Sequence, residues 1–342
     1  MSPVSETPPG PRTAPSGDRP AVLVLRALGL GDLLAGVPAL RAVRRAFPQY
    51  ETVLAAPGSL APAVRAAGAA DVHFATPENG RQVPSLDHWP GPPPALAIDL
   101  HGNGPLSHDV LAALRPGRTL SFARPEAAHP DPPRWRRDEH ERQRWCRFLT
   151  AYGIPADPAE VRIPPPVVPS PAPGAVVVHP GAESAARRWP ADRYAAVAAA
   201  LRKAGHRVVV SGGPGEEELC AEVAARAGLG PADVLAGTLS FDGLSALVAG
   251  AALLVSGDTG PAHLAVAHGT RSVTLFGPVA PALWGPPPGP RHTVLWHPGP
   301  PGDPHGSAPD PLLLRIGADE VARGALAALR HGDPAKEVAG HV

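Results

Sequence analysis

The chain is short of residues that staple or chelate. Its only cysteines, Cys146 and Cys220, lie far apart without metal-ligand spacing, which points to two isolated thiols rather than a disulfide framework or a zinc cluster. No Asp-x-Asp pair occurs anywhere, so a metal held by such a pair has no support. Neither sign of charge is in excess: 31 basic residues face 31 acidic ones, which argues against a generally basic nucleic-acid binder. Also missing is an apolar run of the ~18 residues that a membrane span needs; the longest, 244–255, is interrupted by Gly250. Residues 1–20, rich in Pro, Ser, Gly and Thr, hold no apolar stretch of signal-peptide type and read as a disordered tail. A cytoplasmic protein is expected.

What is present is apolar bulk and proline. Hydrophobic residues make up 44 % of the chain, enough for substantial cores, and 342 residues at about 150 per domain favour two domains. The 48 prolines gather at 84–94, 125–133, 155–173 and 278–311. There they read as stiff loops and a linker rather than broken helices.

Val22-Leu23-Val24-Leu25 is an apolar run of the kind that forms a buried strand. A small turn, 27–32, leads to an apolar stripe at Leu33, Val37, Leu40 and Val43, with Arg41, Arg44 and Arg45 opposite. That is an amphipathic helix ending before Pro48, with a bend expected near Pro38. Strands over 51–55 and 95–100 bracket a helix over 60–67. Residues 138–152 read as a helix, and the basic run 134–147 with Trp135 and Trp145 reads as its solvated face. After the Pro-rich stretch the alternation restarts, with strands near 175–178, 207–211, 234–235, 252–256 and 272–276. Helices are expected at 191–203, 216–227, 242–249, 261–268 and 318–329. Such alternation implies α/β architecture with parallel sheets and right-handed crossovers. The expected organisation is a tail at 1–20, a Rossmann-like domain at 21–160, a linker at 161–173, a second Rossmann-like domain at 174–330 and a tail at 331–342.

Four motifs fall at strand ends, where open parallel sheets bind ligands. Ser256-Gly257-Asp258-Thr259-Gly260-Pro261-Ala262-His263 places Pro261 in a first helical turn, with Thr259 or Asp258 as its cap. The helix N-terminus then offers N–H groups and partial positive charge to an anion; a capped turn without ligand is the plainer alternative. Gly29-Leu30-Gly31-Asp32 lacks the third glycine of a dinucleotide fingerprint, since Leu34 stands there. Asp32 is either a general base exposed to a cleft or an N-cap. His179-Pro180-Gly181-Ala182 precedes Arg187-Arg188-Trp189-Pro190, where an arginine fork can clamp a diphosphate. Ser211-Gly212-Gly213-Pro214-Gly215-Glu216 offers Glu216 to ribose hydroxyls or, equally, to a helix start. Asp99-Leu100-His101-Gly102-Asn103 ends a first-domain strand.

In this order these segments resemble glycosyltransferase family 9, the ADP-heptose:lipopolysaccharide heptosyltransferases and their relatives. Leu275-Phe276-Gly277-Pro278 and Trp284-Gly285-Pro286 extend the match, which spans roughly residues 21–330. The resemblance implies a GT-B fold, two Rossmann-like domains facing across an interdomain cleft, with the acceptor on the first and the donor on the second. It implies inverting transfer from a nucleoside-diphosphate sugar, ADP-linked, to a glycan or glycolipid acceptor of the cell envelope, at the inner membrane surface, without metal or cofactor. Asp32 would be the general base. Arg187, Glu216, Asp258, Thr259, Gly260 and His263 would bind the donor; Gly31, His101 and Asn103 would lie on the acceptor side. The family's usual lysine before the Arg/His-Trp-Pro step is Arg187 here, a planar fork in place of a point cation. The competing readings are a Rossmann-type sugar-nucleotide epimerase or oxidoreductase, and a catalytically silent nucleotide-sugar-binding protein.

Overall fold

The computed structural model describes residues 11–78, 80–123 and 132–330. The chain divides into two compact units, Met1–Val161 and Arg162–Val342. Residues 1–10 of the tail expected at 1–20, and all of the tail expected at 331–342, lie outside the described residues.

In the first unit, β1 (Ala21–Leu25) leads into α1 (Leu30–Ala46), followed by β2 (Glu51–Pro57), a single turn at 58–60, α2 (Ala61–Ala67) and β3 (Val72–Thr76). Then come β4 (Leu96–Asp99), α3 (Pro105–Ala113), β5 (Thr119–Leu120) and α4 (Glu141–Ala151). The strands lie in the order β3-β2-β1-β4-β5, every pairing parallel. All five residues of β1 are buried. Both faces of this strand are covered, which is why it reads as an unbroken apolar run instead of alternating.

The second unit repeats the scheme. It contains β6 (Val176–His179), α5 (Ala191–Lys203), β7 (Val208–Gly212), α6 (Glu217–Ala227), β8 (Val234–Ala236) and α7 (Phe241–Ala249). These are followed by β9 (Leu253–Gly257), α8 (Gly260–His268), β10 (Ser272–Leu275), the one-turn α9 (Pro281–Trp284), β11 (His292–Leu295) and α10 (Ala318–Arg330). The order is β11-β10-β9-β6-β7-β8, again all parallel. Val176, Val178, Leu253, Val255, Val273 and Leu275 pack from the sheet against Trp189, Tyr194 and Leu201 from the α5 side and Val321 and Ala325 of α10. Helices α6 and α8 end on Gly228 and Gly269, at φ 69° and 67°, the left-handed caps that glycine adopts without steric cost.

Three local expectations change. Helix α1 begins at Leu30 with Gly29 as its N-cap, so Asp32 is the third helical residue and not a cap. The segment from Arg12 onward is tied to the sheet. Arg12 bridges Val72, its guanidinium contacts Glu51, and the Ser16 N–H donates to Glu51 Oε2 at 2.8 Å; Glu51 is fully buried and requires those partners. Within α4 the basic run is not a solvated face, since Arg142, Arg144 and Trp145 are buried; ahead of the helix Arg134, Arg136 and Arg137 are exposed, as expected. The elements β3, α3, β5 and β11 were not expected from the pattern. No helix among the described residues is long and apolar enough to cross a membrane.

Leu253 is fully buried and Leu106 is 66 % exposed. Leu253→Ala should therefore cost about 2–5 kcal/mol of stability, and Leu106→Ala within about 0.5 kcal/mol, compared by chemical denaturation.

Candidate active site

In each unit the strand order reverses direction once. Strands β1, β2 and β3 run one way from the first unit's centre and β4 and β5 the other; β6–β8 and β9–β11 do the same in the second. Ligands of open parallel sheets bind beyond the carboxyl ends of the two strands that flank this reversal. Those strands are β1 and β4 in the first unit, and β6 and β9 in the second.

Beyond β9, Asp258 and Thr259 lead into α8. Thr259 is the N-cap residue of α8, as expected, but its hydroxyl donates to Gly257 O at 3.4 Å and makes no capping hydrogen bond. Pro261 has no N–H, so the N–H groups of Thr259 and Gly260 stand at the helix mouth outside the intrahelical ladder. Asp258 is buried to 8 % exposure and sits 3.8 Å from His263 Nε2; the His263 ring meets Trp284 edge to face.

Beyond β6, the turn Ala185–Arg187 packs its Arg187 carbonyl against Gly257, where an added Cβ would stand 3.2 Å from that oxygen. The turn is braced from the Pro-rich stretch. The Ala186 N–H and Ser184 hydroxyl both donate to Gly306 O, at 3.1 and 3.2 Å, and the Asp310 N–H donates to Ala186 O at 3.1 Å. Arg187 Nε is buried without a hydrogen-bond partner. Arg187 and Asp258 share the wall of a small open cavity with Gly277 and Pro278. A second small cavity lies between Asp258, His263, Phe276 and Trp284.

Glu216 lines neither cavity. Its Oε2 accepts the Gly213 N–H at 2.8 Å and lies 3.8 Å from His179 Nε2, while His179 Nδ1 is 3.1 Å from Ser211 Oγ. Burial lowers the His179 pKa, against the pull of Glu216. A Cβ on Gly181 would stand 2.1 Å from the Glu216 carboxylate, so glycine in the His-Pro-Gly turn leaves that carboxylate its place at Gly213 N–H. The fold thus joins two of the sequence-predicted motifs through this carboxylate.

In the first unit, the Asp32 side chain is 8 % exposed and faces the guanidinium of Arg81, whose Nη1 donates to Oδ2 at 3.3 Å and Nη2 to Oδ1 at 3.4 Å. Gly31 precedes it in the first turn of α1. Across the reversal, Asp99 Oδ1 accepts the His101 N–H at 2.9 Å, and His108 Nε2 lies 3.3 Å from Asp99 Oδ2. Burial pushes the Asp99 carboxyl up to about 6, although Ser107 and the N–H groups of His101 and Gly102 favour its ionised form. Burial, then the Arg26 charge, holds the His101 imidazole down at about 4, with Asp32 pulling the other way. Asn103 is half-buried in the turn before α3. Arg81 was missed from sequence because its loop has no periodicity to mark which side chain turns inward. Among the described residues, no group of three or more His, Cys, Asp or Glu side chains is arranged to hold a metal ion.

A family model described as glycosyltransferase family 9 (heptosyltransferase) matches residues 133–306. Lipopolysaccharide heptosyltransferase 3 of Escherichia coli is 34 % identical over 113 residues, covering 32 % of this chain and 33 % of that protein. The matched part is thus about a third of that curated relative's length. The glycosyl transferase family 9 structure from Veillonella parvula DSM 2008 superposes with a TM-score of 0.72 at 19 % identity, covering 93 % of this chain and 100 % of that one. The E. coli ADP-heptose lps heptosyltransferase II gives 0.70 at 20 % identity, covering 90 % and 98 %. The α/β, two-Rossmann GT-B fold is therefore established over nearly the whole chain.

His101 and, in the second unit, His268 are both held at about 4, below the ordinary 6.5. A depressed histidine contributes stability that is complete above the unfolded value and is lost as pH falls through the folded one. Denaturation midpoints should therefore fall as pH drops from about 6.5 to 4, less steeply in the first unit, where the Asp99 carboxyl, raised to about 6, gains stability over the same window and opposes His101. His101→Gln should flatten that fall for the first unit, as read by midpoints measured across the window.

Proposed function

The chain belongs to glycosyltransferase family 9, and from that membership we propose that it transfers a sugar, with inversion, from an ADP-linked heptose-type donor to a glycan or glycolipid acceptor of the cell envelope. Two of its relatives, an ADP-heptose lps heptosyltransferase and a lipopolysaccharide heptosyltransferase, support that donor and acceptor class. The observation that carries the reading is the pairing of Arg187 and Asp258 on one cavity wall beside the open N-terminus of α8. A planar cation, unbonded N–H groups and a helix dipole together form a diphosphate site.

In this mechanism the donor diphosphate lies against Thr259 N–H, Gly260 N–H and Arg187, with Asp258 and His263 contacting the sugar end. Glu216 is assigned to the ribose side. The acceptor oxygen attacks the anomeric carbon from the face opposite the diphosphate. Asp32 takes the proton from that oxygen as the new C–O bond forms, and the bond to the diphosphate breaks with its electron pair leaving on phosphate oxygen. Charge building on the leaving group is met by Arg187 and the helix N-terminus, so the scheme invokes neither metal nor cofactor. His101 and Asn103 flank the accepting hydroxyl, and Gly31 leaves room for it beside Asp32. A lipid-linked acceptor would bring the protein to the membrane surface.

Incubation with ADP-, GDP-, UDP- and dTDP-sugars, followed by mass spectrometry, should show nucleotide release from the ADP-sugar. Stabilisation by NAD(H) but not by ADP in a thermal-shift assay would overturn the reading in favour of an oxidoreductase. Asp32→Ala should lower kcat by about 10²–10⁴-fold with nucleotide affinity unchanged; an undiminished rate removes Asp32 from the mechanism. Arg187→Ala should weaken ADP binding by about 10–100-fold, measured by calorimetry.

A further inference from the structure

We propose that Arg26 is a positioning residue: its guanidinium, locked by Glu141, holds the turn bearing Asp32 and the strand end bearing His101 at one fixed spacing. The consequence for catalysis rests on the role given to Asp32 above; the mechanical coupling itself does not.

Arg26 directly follows β1 and is fully buried. Its three nitrogens go to three different parts of the first unit. Nε donates to the Asp32 carbonyl at 2.8 Å, Nη1 to the Leu100 carbonyl at 2.7 Å and Nη2 to Glu141 Oε1 at 3.0 Å. The Asp32 carbonyl belongs to the first turn of α1, and Leu100 is the residue between Asp99 and His101. One rigid fork therefore spans the reversal point of the sheet, tying the loop beyond β1 to the loop beyond β4. A lysine ammonium, a point charge on a flexible stem, cannot reproduce that fixed fork.

The fork is itself clamped. Glu141 Oε1 also accepts the Trp145 indole N–H at 2.6 Å, and its Oε2 accepts Arg144 Nη1 at 2.5 Å. The guanidinium lies 5.4 Å from the Trp145 ring centroid. On the other side stands Gly36 of α1, where an added Cβ would be 2.6 Å from Arg26 Nε. Only a residue without a side chain leaves that space. Full burial means that no substrate touches Arg26, so its influence on a reaction passes through the groups it holds. Buried ion pairs are often matched or exceeded in stability by well-packed apolar side chains. An apolar side chain cannot grip two carbonyl oxygens on different elements.

The test uses the full chain with Glu141→Gln, which keeps the side chain's shape and removes its charge, and with Arg26→Lys as the second variant. Hydrogen exchange followed by mass spectrometry should show amides in 29–36 and 100–104 exchanging faster together, by about tenfold or more, with the second unit unchanged. No change in either segment, a change in only one, or a uniform rise across the first unit would each overturn the coupling. This arm needs no activity and so decides the proposal even where transfer from every donor fails. With the donor found by the screen, kcat should fall by about 10²-fold with donor KM and ADP affinity unchanged. Added to Asp32→Ala, the same substitutions should cost less than about twofold more, because both act on one step. A full additional loss in that background would show that Arg26 does not act through Asp32.

Discussion

The chemistry of this chain depends on two parallel strand pairings, β1 with β4 and β6 with β9. Each joins strands far apart in sequence, and each is where the sheet's winding reverses. The loops leaving adjacent strands on either side diverge to opposite faces, so the carboxyl ends stand open between them. The apolar runs of these strands therefore set where the polar loops meet. Were β9 to pair elsewhere, Arg187 and Asp258 would not share a wall.

Charge in both units follows from burial. Asp32 is almost covered and has Arg81 for a partner; Asp258 is covered and has His263 near it; Glu216 is turned towards Gly213 N–H and His179. An ionised carboxylate removed from water requires such partners. The same logic explains the neutral imidazoles at His101 and His179, which have lost solvent without gaining a dominant anion. The second unit keeps its cation, Arg187, with one buried nitrogen unbonded. In the first, Arg26 and Arg81 are held by carboxylates and carbonyls.

The sequence made the strand-end motifs legible because each combines an apolar run with a turn of fixed chemistry: Gly-Asp after β1, His-Pro-Gly after β6, Gly-Asp-Thr-Gly-Pro after β9. Side chains that come from loops without period, such as Arg81, were invisible, since nothing local says whether such an arginine turns inward. Helix α4 was misread for a related reason. A run of arginines counts as a solvated face unless a buried counter-charge is known; Glu141 is that charge, and the cation that accompanies it into the interior, Arg26, is 115 residues away. Thr259 takes the N-cap position that the sequence pointed to, but its hydroxyl turns to the Gly257 carbonyl instead of to the helix.

The stretch that braces Arg187 carries Pro298, Pro300, Pro301, Pro304 and Pro309 around the Gly306 carbonyl that Ser184 and Ala186 share. A proline-dense segment samples few backbone states even when unfolded, so fixing it forfeits little conformational entropy. The arginine turn it holds is in consequence ordered before any ligand arrives. An anion captured there meets a loop whose disorder has already been spent during folding, and the heat of binding then reflects contacts more than the freezing of chain.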